Sequence, residues 1–346
     1  MLVTFGLFTI LALVLSLPFL VKKVEEELEL FLFAMGCAAV TLTGQWDMHL
    51  LREALRDPVF ITVAVLSAGF LFKVVQKTLA GHLNMFVRLI GMKLFAFLVI
   101  VILGFLSSVI TAIIASLVLV EIVHCLHIPR EIKIRLVILA CFSIGLGAAL
   151  TPVGEPLSTI VVAKLKGQPY HADFFFLARF LGGPISAGIG IFGLLGMLVS
   201  PAKYTPGSHV SHYEKETNKD IFLRSGKVYV FVMALIFLGT GFKPIIDAYI
   251  SKISYQGLYW INIVSAVLDN ATLAAAEIGP SMQIVQLKAA LLGLLIAGGM
   301  LIPGNIPNII AAGKLKIKSS EWAIIGVPLG LVVMGIGFFF LQYLRP

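Results

Sequence analysis

Charge is what this chain has least of. Asp, Glu, Lys and Arg make up 13% of its 346 residues, about half the share of an ordinary soluble domain. A chain so poor in charge, 59% hydrophobic and with a mean hydropathy of +1.01, reads as an integral membrane protein. Cysteine is scarce too. Cys37, Cys125 and Cys141 are odd in number and lack C-x-x-C spacing, which argues against a disulfide framework and a zinc site. Ten-residue blocks of strict alternation are missing, which excludes an outer-membrane barrel. There is no G-x-x-x-x-G-K-[ST], no H-E-x-x-H and no G-x-S-x-G. These gaps argue against ATP-driven transport, a zinc protease and an intramembrane hydrolase, and the chain is not expected to be an enzyme. No basic domain or arginine-rich tail accompanies the net charge of +8. The basic residues sit in short loops, where they orient a membrane protein, so a lipid bilayer is the expected partner and nucleic acid is not.

Apolar runs of about 20 residues, the length of a spanning helix, are what the chain does have. They fall at about 2–21, 29–46, 58–76, 89–126, 133–165, 172–199, 227–250, 255–280, 284–313 and 321–344. The first has no basic residue before it and no A-x-A site after it, so it reads as a retained helix rather than a signal peptide. Residues 89–126 are too long for one span and hold no loop that would separate two. A re-entrant hairpin fits, with its tip at Ser107–Ala112, and 255–280 does the same around Ser265–Asn270. T-P-V-G-E-P interrupts 133–165 and I-P-G-N-I-P interrupts 284–313. Proline removes a backbone donor and glycine loosens the chain, so each reads as two half-helices with an unwound join.

The interruptions repeat in order. S-S-V-I-T, G-E-P-L-S and A-K-L-K in the first half are matched by S-A-V-L-D-N, G-N-I-P-N and G-K-L-K in the second. The expected fold is an all-α polytopic membrane protein of two repeats. Each repeat holds a re-entrant hairpin and a broken helix. The division is 1–80 for N-terminal helices, 89–199 for the first repeat, 200–226 for a cytoplasmic linker and 227–346 for the second. Counting crossings makes the repeats inverted. It places sixteen Lys and Arg on one side and seven on the other, which puts the richer side in the cytoplasm and both termini outside. Broken elements in paired repeats are the usual way to build one midplane transport site from two halves.

Two carboxylates stand out. Asp269 lies in an apolar run beside Asn270 and Thr272. A charge at membrane depth costs roughly 2.5–3.5 kcal/mol and normally faces a cavity or a partner. Glu155 lies in the first unwound join, next to Gly154, and its repeat counterpart is Asn305, next to Gly304. A desolvated carboxylate binds protons more tightly, so one group can hold Na⁺ or H⁺. Ser107, Ser108, Thr111, Thr151, Ser158, Ser265, Thr272 and Asn308 supply oxygens around the breaks, where freed carbonyls add more. Each hydroxyl has the competing fate of bonding its own helix backbone. Glu121 and Glu277 read as helix ends at the interface, Arg179 as a mid-helix counter-charge, and Lys243 with Asp247 as a pair on one helix face.

Hairpin tips of the S-x-x-x-[DN] kind followed by a helix broken at Pro and Gly resemble the ion transporter superfamily. S-A-V-L-D-N-A-T and L-T-P-V-G-E-P are most similar to its NhaD-like sodium/proton antiporter branch and to a related family of short prokaryotic proteins described as predicted cation transporters. The resemblance covers roughly 89–199 and 227–344. It implies a hairpin-tip site at Ser107–Thr111 and at Ser265, Asp269, Asn270 and Thr272, and a broken-helix site at Thr151–Glu155 and Gly304–Asn308. It also implies homodimers, for which the N-terminal helices are the expected interface. Where that superfamily often carries Asn at the first tip, this chain has Ser108-Val109-Ile110-Thr111. The resulting expectation is alternating-access Na⁺/H⁺ antiport in the plasma (inner) membrane, with no cofactor beyond the transported ions. A sodium-coupled inorganic anion or carboxylate transporter is the alternative, and a channel or membrane scaffold a more distant one.

Overall fold

Backbone amides in an apolar run find no water in lipid and must pair within their own segment, which selects helix. The computed structural model describes residues 2–21, 23–24, 27–202, 218–249, 253–268 and 270–343, and these contain helix, turn and no strand. Among them four helical stretches are long and apolar enough to cross a membrane: Met92–Ile110, Phe176–Val199, Ile221–Pro244 and Ser319–Gln342. The chain is a helical membrane protein.

Three helices come first: α1 (Leu2–Leu20), α2 (Leu28–Thr43) and α3 (Met48–Ile90). Gly44, with φ 65, closes α2 in the left-handed conformation that glycine adopts without penalty. Three residues on, the Asp47 carboxylate accepts from the Leu50 amide at 2.6 Å and starts α3. At 43 residues α3 is about 65 Å long, twice the hydrocarbon core. The separate helix expected at 58–76 is instead part of this longer one. The polar stretch after residue 72 holds no proline, so the helix runs on until Gly91, with φ 82.

The first half then consists of α4 (Met92–Ile110), α5 (Ala112–Cys125), α6 (Arg130–Ala148), α7 (Pro156–Lys164) and α8 (Phe176–Val199). A long helix, α9 (Asn218–Tyr249), leads to the second half. That half is α10 (Tyr255–Ile261) with a 3₁₀ turn at Asn262–Ala266, α11 (Asn270–Glu277), α12 (Ile284–Ala297), a 3₁₀ turn at Ile302–Gly304, α13 (Ile306–Leu315) and α14 (Ser319–Tyr343). The expected breaks all occur, in the expected order. Two boundaries move. The linker expected at 200–226 gives way to helix at Asn218, and the first interruption shrinks from Ser107–Ala112 to the single residue Thr111.

Packing interleaves the halves. α4, α6 and α8 pack on one another, and α12 packs on α10 and α14, but α7 packs against α11 and α13 against α5. Both α2 and α3 lie along α9. The α4–α6 crossing is closest at Gly104 and Gly147, where a Cβ on Gly147 would fall within 1.7 Å of the Gly104 carbonyl oxygen. Small residues at such crossings let helix backbones touch in a membrane.

Candidate functional site

Each break leaves carbonyls without helical partners, and side chains close to it take most of them up. In the first join Ser158 Oγ donates to Glu155 O at 2.8 Å and more weakly to Ala148 O at 3.4 Å, and Thr159 Oγ1 donates to Pro152 O at 2.6 Å. The Ala112 amide, at the start of α5, donates to Gly154 O at 2.8 Å, and Thr151 Oγ1 donates to Ser108 O at 2.5 Å. These last two bonds lock the Thr111 break onto the broken helix. In the second join Asn308 Nδ2 donates to both Gly298 O and Leu301 O at 2.8 Å, and Trp322 Nε1 donates to Gly299 O at 3.2 Å. Pro156 and Pro307 sit in the first turn of α7 and α13, where a missing amide costs nothing.

The two halves use matching bonds. Ser158 on Ala148 and Asn308 on Gly298 occupy equivalent places, separated by the same 150 residues as Gly154 and Gly304. Ser107 Oγ donates to Ile144 O at 3.0 Å, and its counterpart Ser265 Oγ donates to Leu294 O at 3.2 Å.

Both sets of breaks face one cavity of about 760 Å³. The first half contributes Thr111, Ala112 and residues 152–156, and the second half contributes Asn270, Ala271, Asn305 and Ile306. Of the expected site residues, the structure therefore gathers Thr111, Gly154, Glu155, Asn270 and Asn305. Glu155 is 6% exposed and precedes α7 as its N-cap. Asn305 does the same for α13, and its amide seats on Gly145 of α6, where a Cβ would approach Nδ2 to 2.5 Å. Asn270 is buried at the start of α11, and its Nδ2 has no hydrogen-bond partner among the described residues. Thr111 has φ 77 and ψ 150, a region close to glycine-only and strained for a β-branched side chain. Its Oγ1 accepts from the Ile114 amide at 3.4 Å, capping α5.

The sequence profile described as "Protein of unknown function (DUF1646)" matches residues 4–344, taking in the N-terminal helices and both halves. The chain belongs to the DUF1646 family. No curated protein matches it.

Other expected residues of this DUF1646 member stand back from the cavity. Ser107 and Ser108 lie in the last turns of α4 rather than at a tip, and donate to Gly104 O and Phe105 O at 2.6 and 2.7 Å. Thr151, Ser158, Ser265 and Asn308 are spent on the backbone bonds above. Gly304 is packed too tightly for any side chain, with the carbonyl oxygens of Gly298, Ser265 and Ala266 within 3.0 Å of where a Cβ would be. Asp269 and the Thr272 side chain lie outside the described residues.

Sequence reasoning missed one wall of the cavity. Glu53 and Asp57 of α3, with Thr240 and Lys243 of α9, line it. Tyr229 OH donates to Leu55 O at 2.9 Å and holds these two helices in register. The four-residue spacing of Glu53 and Asp57 on one helix face was the available signal. Arg179 is not mid-helix. It sits in the first turns of α8 and bonds the exposed Asp173 at 2.6 Å, which holds that carboxyl below the usual range. Glu121 is not an interfacial end. It is 6% exposed and paired with Lys314 of the other half. Glu277 is half-buried, and the Asp247 side chain lies outside the described residues. The three cysteines form no disulfide with one another.

Proposed function

We propose that this protein is a secondary ion transporter working by alternating access, with the shared cavity as its binding site. One observation carries the reading: chain breaks from both halves deliver residues to a single cavity that holds the buried carboxylate Glu155. Interrupted helices are tolerated at membrane depth where they line such a cavity. The preferred exchange is Na⁺ for H⁺. Glu155 carries the proton or the cation, and Asp269, next in sequence to the cavity residue Asn270, carries the other. The element order, repeated once, and its matching hydrogen bonds support two repeats of opposite orientation. The same proposal places the protein in the plasma (inner) membrane with both termini outside, a dimer through its N-terminal helices.

A second reading, sodium-coupled transport of an inorganic anion or carboxylate, has its own support. The N-terminal ends of α5, α7, α11 and α13 all border the cavity, and each such end carries partial positive charge. Asn270 Nδ2, without a hydrogen-bond partner among the described residues, is a donor of the kind an oxyanion uses.

Proteoliposomes separate the two. Antiport requires Na⁺-dependent proton flux between pH 6 and 9, lost in Glu155→Gln and Asp269→Asn with the fold intact. No such flux, together with uptake of labelled sulfate, bicarbonate or a dicarboxylate driven by Na⁺, would transfer the assignment to the second reading.

A further inference from the structure

A second cavity, of about 370 Å³, opens where α5 ends, α6 begins and α13 ends. Its charged lining is of one sign. Arg130, Lys133, Lys314 and Lys316 line it with His124, and no acidic residue does. The rest of the wall is Ile128, Ile134, Leu315 and Ile317.

Two of these cations are already matched. Arg130 pairs with Glu321 at 2.9 Å, and Lys314 pairs with Glu121. Glu131, also in the first turn of α6, is exposed and not part of the wall. Lys133 and Lys316 have no carboxylate partner among the described residues. Arg130 also donates to the carbonyls of Leu315 and Lys316 at 3.4 and 2.8 Å. It thereby holds the turn in which Lys316 adopts φ 52, and so fixes the place of that lysine. The pocket is a preset cradle with two unspent positive charges and a greasy wall.

Its level in the membrane follows from α14. The membrane-length stretch Ser319–Gln342 begins two residues past Ile317. The pocket therefore lies at the end of a span, where phospholipid headgroups lie. Basic pockets between helices at that level bind anionic headgroups.

We propose that this pocket binds the phosphate of an acidic phospholipid, with Lys133 and Lys316 contacting the phosphate oxygens and the isoleucine and leucine wall receiving the start of an acyl chain. The site is separate from the transport cavity, with which it shares no residue.

Native mass spectrometry of the purified, detergent-solubilised protein tests this, together with thermal unfolding during titration with phosphatidylglycerol or cardiolipin, phosphatidylcholine and inorganic phosphate. Acidic lipid should remain bound and raise Tm by several degrees, while phosphatidylcholine does neither. The double variant Lys133→Gln/Lys316→Gln should bind acidic lipid about tenfold more weakly or worse. The Lys133→Arg/Lys316→Arg variant, which keeps the charge and controls for folding, should bind like the wild type. Variant-sensitive binding of inorganic phosphate, with acidic lipid indifferent, would overturn the lipid assignment in favour of a soluble phosphate ligand. Equal retention of phosphatidylcholine and acidic lipid, or a glutamine variant as tight as the wild type, would overturn the site itself.

Discussion

Ser265 donates its hydroxyl hydrogen to the carbonyl of Leu294 across 3.2 Å, tying the 3₁₀ turn after α10 to α12. Ser107 shares its hydroxyl hydrogen between Gly104 O of its own helix at 2.6 Å and Ile144 O of α6 at 3.0 Å, and so ties α4 to α6. Both serines are fully buried. Their chemistry is structural: each replaces water for a backbone carbonyl inside an apolar crossing. Ser107→Ala and Ser265→Ala should each lower stability by about 1 kcal/mol, additively, because the two contacts share no residue. Urea or thermal unfolding in detergent measures this. A loss of transport with unchanged stability would instead make these hydroxyls ligands.

Two glycines on α6 should behave differently although they are two residues apart. A methyl on Gly147 meets the Gly104 carbonyl, a backbone atom that has nowhere to go. Gly147→Ala should cost at least about 3 kcal/mol and the yield of folded protein. A methyl on Gly145 meets only the Asn305 amide, which can swing away. Gly145→Ala should fold, and if the cavity is the transport site it should transport poorly. Size-exclusion profiles and flux assays on the pair check both halves of the statement.

Thr111 holds a backbone conformation that suits glycine. Thr111→Gly should relieve strain of about 1–3 kcal/mol at the loss of a weak cap worth a few tenths, so Tm should rise. A fall in Tm would mean that the Thr111 hydroxyl holds α5 more firmly than its 3.4 Å bond indicates.

The Glu121–Lys314 pair joins α5 to α13 with both side chains largely buried. Removing one partner strands a buried charge, so Glu121→Gln or Lys314→Met alone should destabilise by about 3–5 kcal/mol. The double variant should recover much of that loss. A double-mutant cycle followed by unfolding gives the coupling directly; simple additivity would mean that the charges do not interact.

Much of the architecture was legible because lipid makes backbone interruption expensive. Thr-Pro-Val-Gly-Glu-Pro and Ile-Pro-Gly-Asn-Ile-Pro had to be breaks, and they are. Glu155, Asn305 and Asn270, each expected beside a break, line one cavity. Less was legible at residue resolution. Ser107 and Ser108 satisfy helix carbonyls three residues behind them, as serines in apolar helices do. The run of α3 through Lys73 and Lys77 was hidden because hydropathy falls there while helix propensity does not. Glu53 and Asp57 went unnoticed because they lie outside the repeats, on a helix that reaches the cavity only by packing on α9.

The K-L-K that occurs twice in the sequence has a consequence for how the chain is made. Lys164 at the end of α7 donates to the carbonyl of Ile278 at 3.2 Å, 114 residues downstream, and Glu121 waits for Lys314. Lys164 thus grips the residue just past α11, and Lys314 grips α5, each in the opposite half. During synthesis the first five-helix half therefore emerges with a carboxylate whose counter-charge is yet to be translated. The pair across the two halves closes only once α13 has been made, late in the chain.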